Sequence, residues 1–419
     1  MAILTLAAKS LWNRRLTSAL VVLAIALSVT LLLGVERLRT QARASFANTL
    51  SGTDLIVGAR GSPINLLLYS VFRIGDPTNN VNWSSYRTLA ADPRVAWTVP
   101  LSLGDSHRGF RVLGTDHSYF QHYRYARNRP LRLAEGREFE DLFDAVLGAE
   151  VAERLGYWLG QSIILAHGAG EISFAMHEDK PFHVVGILAR TGTPVDQTVH
   201  VSLAGIEAIH ADWRGGAPLP GFHLSTEQVR QLDLTPKTIT ASLVGLNTKT
   251  AIFRVQREIN EFTAEPLLAI LPGLTLQQLW DLMGLAENAL LVVSGLVVLV
   301  SFTVMLVALL TSLNERRREM AILRAVGARP SQIFTLVLGE SVTLALAGAV
   351  CGLLLLQGAL WLAGPVLEAR LGLTIAAWPP SSHELMLLVA VLGCGFVAGI
   401  IPAWRAYRYS VADGMTIRM

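Results

Sequence analysis

Imidazoles are the first side chains in this sequence with chemistry in reach. His107, His117, His122, His167, His177, His183, His200, His210 and His223 fall in one stretch of the chain. Neutral imidazole is a ligand for zinc and copper, and Glu178 and Asp179 follow His177 directly. The spacing matches no standard metal site, and neither His-Glu-x-x-His nor Cys-x-x-Cys occurs. The expectation is scattered surface histidines and no metal, with His167, His177 and His183 as the candidates should one bind. Glu340 is a second position of interest, a carboxylate about two turns into an apolar run. Such a group is costly in a membrane and faces protein or water. Either it pairs with an arginine of the neighbouring loop, or it serves transport or switching.

The third feature is the stretch from Asn314 to Pro330, between two apolar runs. Met320, Leu323 and Val326 recur every third residue, which predicts a shared side of one short amphipathic helix, and Ile322 widens the stripe. Arg316, Arg317, Arg318 and Arg324 outnumber Glu315 and Glu319, and Gly327 and Pro330 are stop signals. A membrane loop this rich in arginine belongs in the cytoplasm. It is either a solvated basic loop that only sets topology or a helix that docks on a motor, with charge contacts from Arg316, Glu319 and Arg324 flanking the apolar stripe. No Gly-x-x-x-x-Gly-Lys-Ser/Thr cradle occurs, so the P-loop route to ATP hydrolysis is not encoded here. Gly-x-Ser-x-Gly is missing as well, which argues against a membrane-anchored hydrolase.

The elements that must position these residues follow from composition. The 419-residue chain is 52% hydrophobic and only 16% charged, with mean hydropathy +0.43, the balance of a membrane protein. Its net charge of +3 gives no case for nucleic acid as a partner. Cys351 and Cys394 both lie in apolar runs, so no disulfide framework is expected. Lys9, Arg14 and Arg15 precede an apolar run from about Leu16 to Val35, long enough to span and too long for a cleaved signal peptide. Good helix formers carry it on to about Leu50 as a stalk, and Ser51-Gly52-Thr53 breaks it. From Asp54 to about Leu279 short β-type runs, among them Ile172–Met176 and His183–Ala189, alternate with polar helices such as Trp83–Ala91, and Pro218-Leu219-Pro220-Gly221 marks a seam or loop, which reads as one or two α+β lobes outside the membrane. Three more apolar runs follow, at about Asn288–Leu313, Ile333–Val366 and Leu385–Ala403, and Trp404-Arg405-Ala406-Tyr407-Arg408 makes a basic aromatic exit. Gly348 and Gly352, like Gly395 and Gly399, put small residues one turn apart, which lets helices approach closely within one subunit or across a subunit interface.

The predicted fold class is thus an α-helical membrane protein of four transmembrane helices with an inserted extracytoplasmic α+β domain. Residues 1–53 form the first span and stalk, 54–279 the outer domain, and 280–419 the remaining spans with the 314–329 helix. The wording of Glu315 to Ala328 resembles the cytoplasmic coupling helix of FtsX-like permeases, the MacB/LolC/LolE superfamily of type VII ABC transporters. Leu133 to Phe139, Val146-Leu147-Gly148 and Phe182 to Ile187 are similar to strand-turn patterns of that superfamily's periplasmic core domain, and Pro402 to Arg408 to its C-terminal ending. The resemblance implies a permease that binds no cofactor itself and works with two copies of a separate ATPase carrying ATP and magnesium. It further implies a second permease subunit, with a homodimer expected, and a periplasmic or outer-membrane partner in some members. The setting would be the bacterial inner membrane with both termini cytoplasmic, and the substrate a lipoprotein, peptide or small molecule. A reading from another class is a membrane sensor whose outer domain binds a metal or peptide and signals inward.

Overall fold

A computed structural model describes residues 14–126, 128–168, 176–214, 217–218, 223–371 and 379–408. Lys9, most of the strand expected at Ile172–Met176, and the loop expected at Pro218–Gly221 lie wholly or largely outside them. The chain divides into two compact units, Arg43–Leu282 and the flanking segments Met1–Ala42 with Met283–Met419.

The Arg43–Leu282 unit is built on an eleven-stranded sheet among the described residues. Its continuous path comprises β1 (Leu55–Ala59), β2 (Val95–His107), β3 (Phe110–Thr115), β4 (Leu133–Gly136), β5 (Asp144–Leu147), β6 (Phe182–Leu188), β7 (Thr198–Ser202), β8 (Ala241–Leu246) and β9 (Leu267–Ile270). Their order is β9-β1-β8-β2-β3-β7-β5-β6-β4. Only β3–β7 and β5–β6 are parallel. The long β2 joins two lobes, pairing through Val95–Leu101 with β8 and through Ser102–His107 with β3. All five residues of β1 are buried, as expected for a strand covered on both faces. In β6, Phe182, Val184 and Leu188 alternate inward while His183 points out.

Two helices, α2 (Trp83–Ala90) and α6 (Ile252–Asn260), pack Tyr86, Val255 and Ile259 against Leu55, Val57 and Val244 of the first lobe. In the second lobe α4 (Ala149–Leu155) and α5 (Leu203–Ile209) set Val151, Ala208 and Ile209 against Phe182, Val184 and Val199. Between α2 and α4 in sequence, α3 (His117–His122) buries Tyr119 and Phe120. The boundaries differ from the expected 54–279, since the unit takes in residues from both flanking helices. The aromatic rings explain this. Phe46 lies 4.5 Å from Phe72 and 5.4 Å from Trp280, within this unit. The run from Asp54 to Pro63 contributes β1 and the start of a short helix, Pro63–Leu67, that continues as a π-helical turn, Leu68–Phe72.

Among the described residues, the helices long and apolar enough to cross a membrane lie wholly or mainly in the other unit: α1 (Arg15–Thr49), α7 (Pro272–Glu315), α9 (Pro330–Leu371) and α10 (Ser382–Arg408), with the short α8 (Arg317–Ala325) between α7 and α9. Val21, Ile25, Val29 and Leu33 of α1 meet Phe302, Met305 and Leu309 of α7, Leu344 and Ala345 of α9, and Val391 of α10. The opposite stripe of α1, with Leu16, Leu20, Leu23, Leu27 and Leu31, is exposed. One helix therefore presents a protein face and a lipid face, as a span at the edge of a bundle must. The hydroxyls of Ser28 and Ser301 hydrogen-bond each other between α1 and α7, and Thr30 Oγ1 donates to the Gly352 carbonyl at 3.0 Å.

Candidate functional site

The arginine-rich stretch folds into α8 as the sequence predicts, but it faces differently. Met320 is 1% exposed and sits among Leu313, Ile333, Leu336, Val337, Ala403 and Ala406 of the neighbouring helices. The outward apolar residues are Ile322, Leu323 and Val326, at 56%, 37% and 84% exposure. The expected stripe of Met320, Leu323 and Val326 is therefore corrected. A three-residue step on an α-helix falls about 60° short of a full turn, so six residues rotate Val326 about 120° away from Met320. Met320 anchors the helix, and the free apolar arc is one built around Ile322, Leu323 and Val326.

Charge makes a second anchor. Arg316, at the N-cap position, is 6% exposed. Its Nη1 donates to Glu340 Oε1 at 2.9 Å and its Nε to Glu319 Oε2 at 2.8 Å. Expected as an outward charge contact, Arg316 is instead spent on neutralising the carboxylate of α9, which is 2% exposed. Arg318, Glu319 and Glu315 remain on the exposed surface of this stretch, and Arg324 and Arg317 are half-buried. At the other end Gly327 adopts φ +105°, its N–H reaching Arg324 O at 3.1 Å and that of Ala328 reaching Leu323 O at 3.0 Å. This pair of bonds is the Schellman closure, which needs a left-handed residue. Space is not the constraint, since a Cβ on Gly327 would meet nothing within 4 Å.

The small-residue pairs pack inside this chain. A Cβ on Gly348 would stand 2.5 Å from Ile25 Cγ2, and one on Gly352 2.7 Å from both Ala26 O and Val29 Cβ, all on α1. Gly395 faces Ala345 and Phe302, and Gly399 faces Ser341. These four positions are filled by helices of the same subunit, so the subunit-interface reading of them is set aside.

Sequence reasoning missed a second buried ion pair. Arg37 Nε and Nη2 donate to Glu384 Oε1 and Oε2 at 2.7 and 2.5 Å, with both side chains 3% exposed. Glu384 also accepts from the Ser381 N–H at 3.1 Å while Ser381 Oγ accepts from the Glu384 N–H at 3.1 Å, a capping box that starts α10. The Ser-x-x-Glu signature was present in the sequence; its arginine partner, far away in the chain, was not deducible. Beside it Glu36 is 2.9 Å from Arg39 and 3.7 Å from His383.

Of the candidate metal residues, the structure brings His167 and His177 together and leaves His183 elsewhere. His183 is exposed on β6 and bonds Ser162 Oγ at 3.1 Å. His167 and His177 are joined by two residues the spacing did not suggest, Asp105 of β2 and His210 at the end of α5. Burial pushes His177 down to about 4, helped by the neighbouring His210. For Asp105 burial works upward, but hydrogen bonds from His167 and His210 outweigh it and hold the carboxyl at about 2. Elsewhere, burial drives His200 down to about 3.

Two family matches cover most of the chain. Residues 18–261 match the MacB-like periplasmic core domain and residues 291–411 the FtsX-like permease C-terminal domain. The chain is 23% identical over 302 residues to the lipoprotein-releasing system transmembrane protein LolC of Neisseria meningitidis serogroup B, covering 66% of this chain and 67% of that one. It is 23% identical over 421 residues to the pyoverdine export ATP-binding/permease protein PvdT of Pseudomonas syringae pv. tomato, covering 97% of this chain and 58% of that one. It is 24% identical over 413 residues to the macrolide export ATP-binding/permease protein MacB of Azoarcus sp., covering 93% and 56%. The chain thus spans little more than half the length of the two export proteins.

Proposed function

Because the chain belongs to the family of FtsX-like permeases with a MacB-like periplasmic core domain, we propose that it couples ATP hydrolysis on a separate ATPase to motion of its extracytoplasmic domain. The observation that carries this is α8, a short helix between two spans, held by Met320 and by the Arg316–Glu340 pair, with Ile322, Leu323 and Val326 uncovered. A helix fixed on one side and apolar on the other transmits a push rather than absorbing it. ATP and magnesium would sit on that ATPase, present in two copies, beneath a homodimer of this permease in the bacterial inner membrane. The cargo would be a lipoprotein, peptide or small molecule handled outside the cytoplasm, with a further periplasmic or outer-membrane partner for export beyond the cell.

The test is Leu323→Glu. Burying a leucine in a partner groove is worth about 1.5–3 kcal/mol, and a central interface truncation costs about 2 kcal/mol or more. Leu323 is already partly exposed, so the variant is expected to fold. Co-purification of the P-loop ATPase, sought first in the neighbouring gene, should fall at least tenfold, and permease-stimulated ATP hydrolysis should be lost. A mutant that recruits and stimulates the ATPase like wild type would reduce α8 to a topology loop.

A further inference from the structure

We propose that Asp105, His167, His177 and His210 form a binding site for a zinc-class divalent transition metal in the extracytoplasmic domain. The inference does not depend on the transport reading. Four separate segments of the chain supply the donors. Asp105 lies on β2 and is 3% exposed. His167 lies on the short strand Ala166–His167, whose antiparallel register sets it directly opposite Asp105. His177 follows the bridge between Ala166 and Met176, with its N–H on Leu165 O at 2.9 Å. His210 caps α5.

The geometry is that of a nearly assembled tetrahedron. Ligands about 2.0–2.1 Å from a zinc ion stand roughly 3.3–3.4 Å from one another. His167 Nδ1 is 3.1 Å from Asp105 Oδ1 and 3.1 Å from His210 Nε2, and His210 Nε2 is 3.5 Å from Asp105 Oδ1. These three atoms already make one triangular face, and all four donors lie within 4.8 Å of one another. His210 is oriented as metal-bound histidines are, because its Nδ1 donates to the Ile206 carbonyl at 2.9 Å and leaves the Nε2 lone pair for the site.

His177 supplies an independent observation. It is 1% exposed, yet neither ring nitrogen has a hydrogen-bond partner among the described residues. A buried imidazole in that state carries an unsatisfied donor and acceptor, which folded interiors seldom tolerate. An ion at the triangle's open face would take its lone pair. Trp213 packs beside all three rings in tilted or edge-on contact, with centroids 5.1, 4.6 and 5.3 Å from His167, His177 and His210. The adjacent Asp179 and Asp212 are both held by Lys180, at 2.6 and 2.8 Å, and are not needed as ligands.

Full-length protein in detergent, stripped with a chelator and dialysed, should take up one equivalent of Zn2+ per chain by elemental analysis. Co2+ should give the intense visible bands of a tetrahedral site. Loss of a ligand should weaken Zn2+ binding roughly 100-fold, at or beyond the ~10–100-fold that supporting residues command. His177→Ala tests the buried ligand, and His167→Ala, at a half-exposed position, tests the site without threatening the fold. His183→Ala, off the site, should bind like wild type. If wild type takes up no zinc, or if His167→Ala and His177→Ala bind it as tightly as wild type, the site does not exist.

Discussion

Arg37 and Glu384, 347 residues apart, close on each other with almost no water. Two charges taken from water are repaid only when geometry and extra hydrogen bonds are good, and removing one partner strands the other at a cost of about 3–5 kcal/mol. Glu384→Gln isolates this effect, because glutamine keeps the shape and can still serve the capping box with Ser381. The variant should melt markedly earlier than wild type in detergent. Adding Arg37→Met removes the other charge of the pair and should restore part of the loss, a coupling that a double-mutant cycle reads directly. An unchanged melting point for Glu384→Gln would show that the pair contributes nothing net. The same reasoning explains what the sequence hid at this scale. His210 stands far from His167 in the chain and meets it only through the register of β2 with the Ala166–His167 strand and the placement of α5. No local spacing encodes such a meeting, whereas Glu340 could be matched to a nearby arginine because Arg316 is only 24 residues away.

Elements were legible where a period or a breaker marked them. The helix expected at Trp83–Ala91 runs Trp83–Ala90, the strand at His183–Ala189 runs Phe182–Leu188, and the first long helix ends at Thr49, just ahead of Gly52 at φ +73°. Misses have physical causes. β9 is a four-residue apolar run immediately before a long helix, so it reads as that helix's approach, and only pairing with β1 makes it a strand. Similarly α7 starts at Pro272, well before the apolar run at 288, because proline at the first helical position suits an N-terminus. Glycines on α9 permit a test of element packing. Gly352 has α1 against it, while Gly358 has nothing within 4 Å. Gly352→Ala must push Ala26 O or Val29 aside and should cost about 1–3 kcal/mol, as overpacking does. Gly358→Ala should be neutral or gain up to roughly 1 kcal/mol from helix propensity. Equal losses at both positions in detergent melts would mean that the close approach to α1 is not what Gly352 provides.

At the scale of the whole molecule, topology follows from parity and charge together. If all four candidate helices span, the chain returns to the side it left, and both ends would share a compartment. Cytoplasmic loops carry the arginine excess, counted close to the span ends. Arg14 and Arg15 precede or open α1, Arg316, Arg317, Arg318 and Arg324 surround α8, and Arg405 and Arg408 close α10. Every one of these clusters falls on the same side only if the Arg43–Leu282 unit, inserted between the first and second spans, lies on the other. The coupling proposal stands on this arrangement, since an ATPase can reach α8 only from the cytoplasm. Fusions after Gly160, in an exposed turn of the Arg43–Leu282 unit, should on this reading be active with a reporter that works only outside the membrane and silent with one that works only inside. Fusions after Arg329 should give the reverse pattern. Cytoplasmic activity after Gly160 would invert the molecule, place the histidine cluster among cytosolic metals, and leave α8 facing the compartment that holds no ATP.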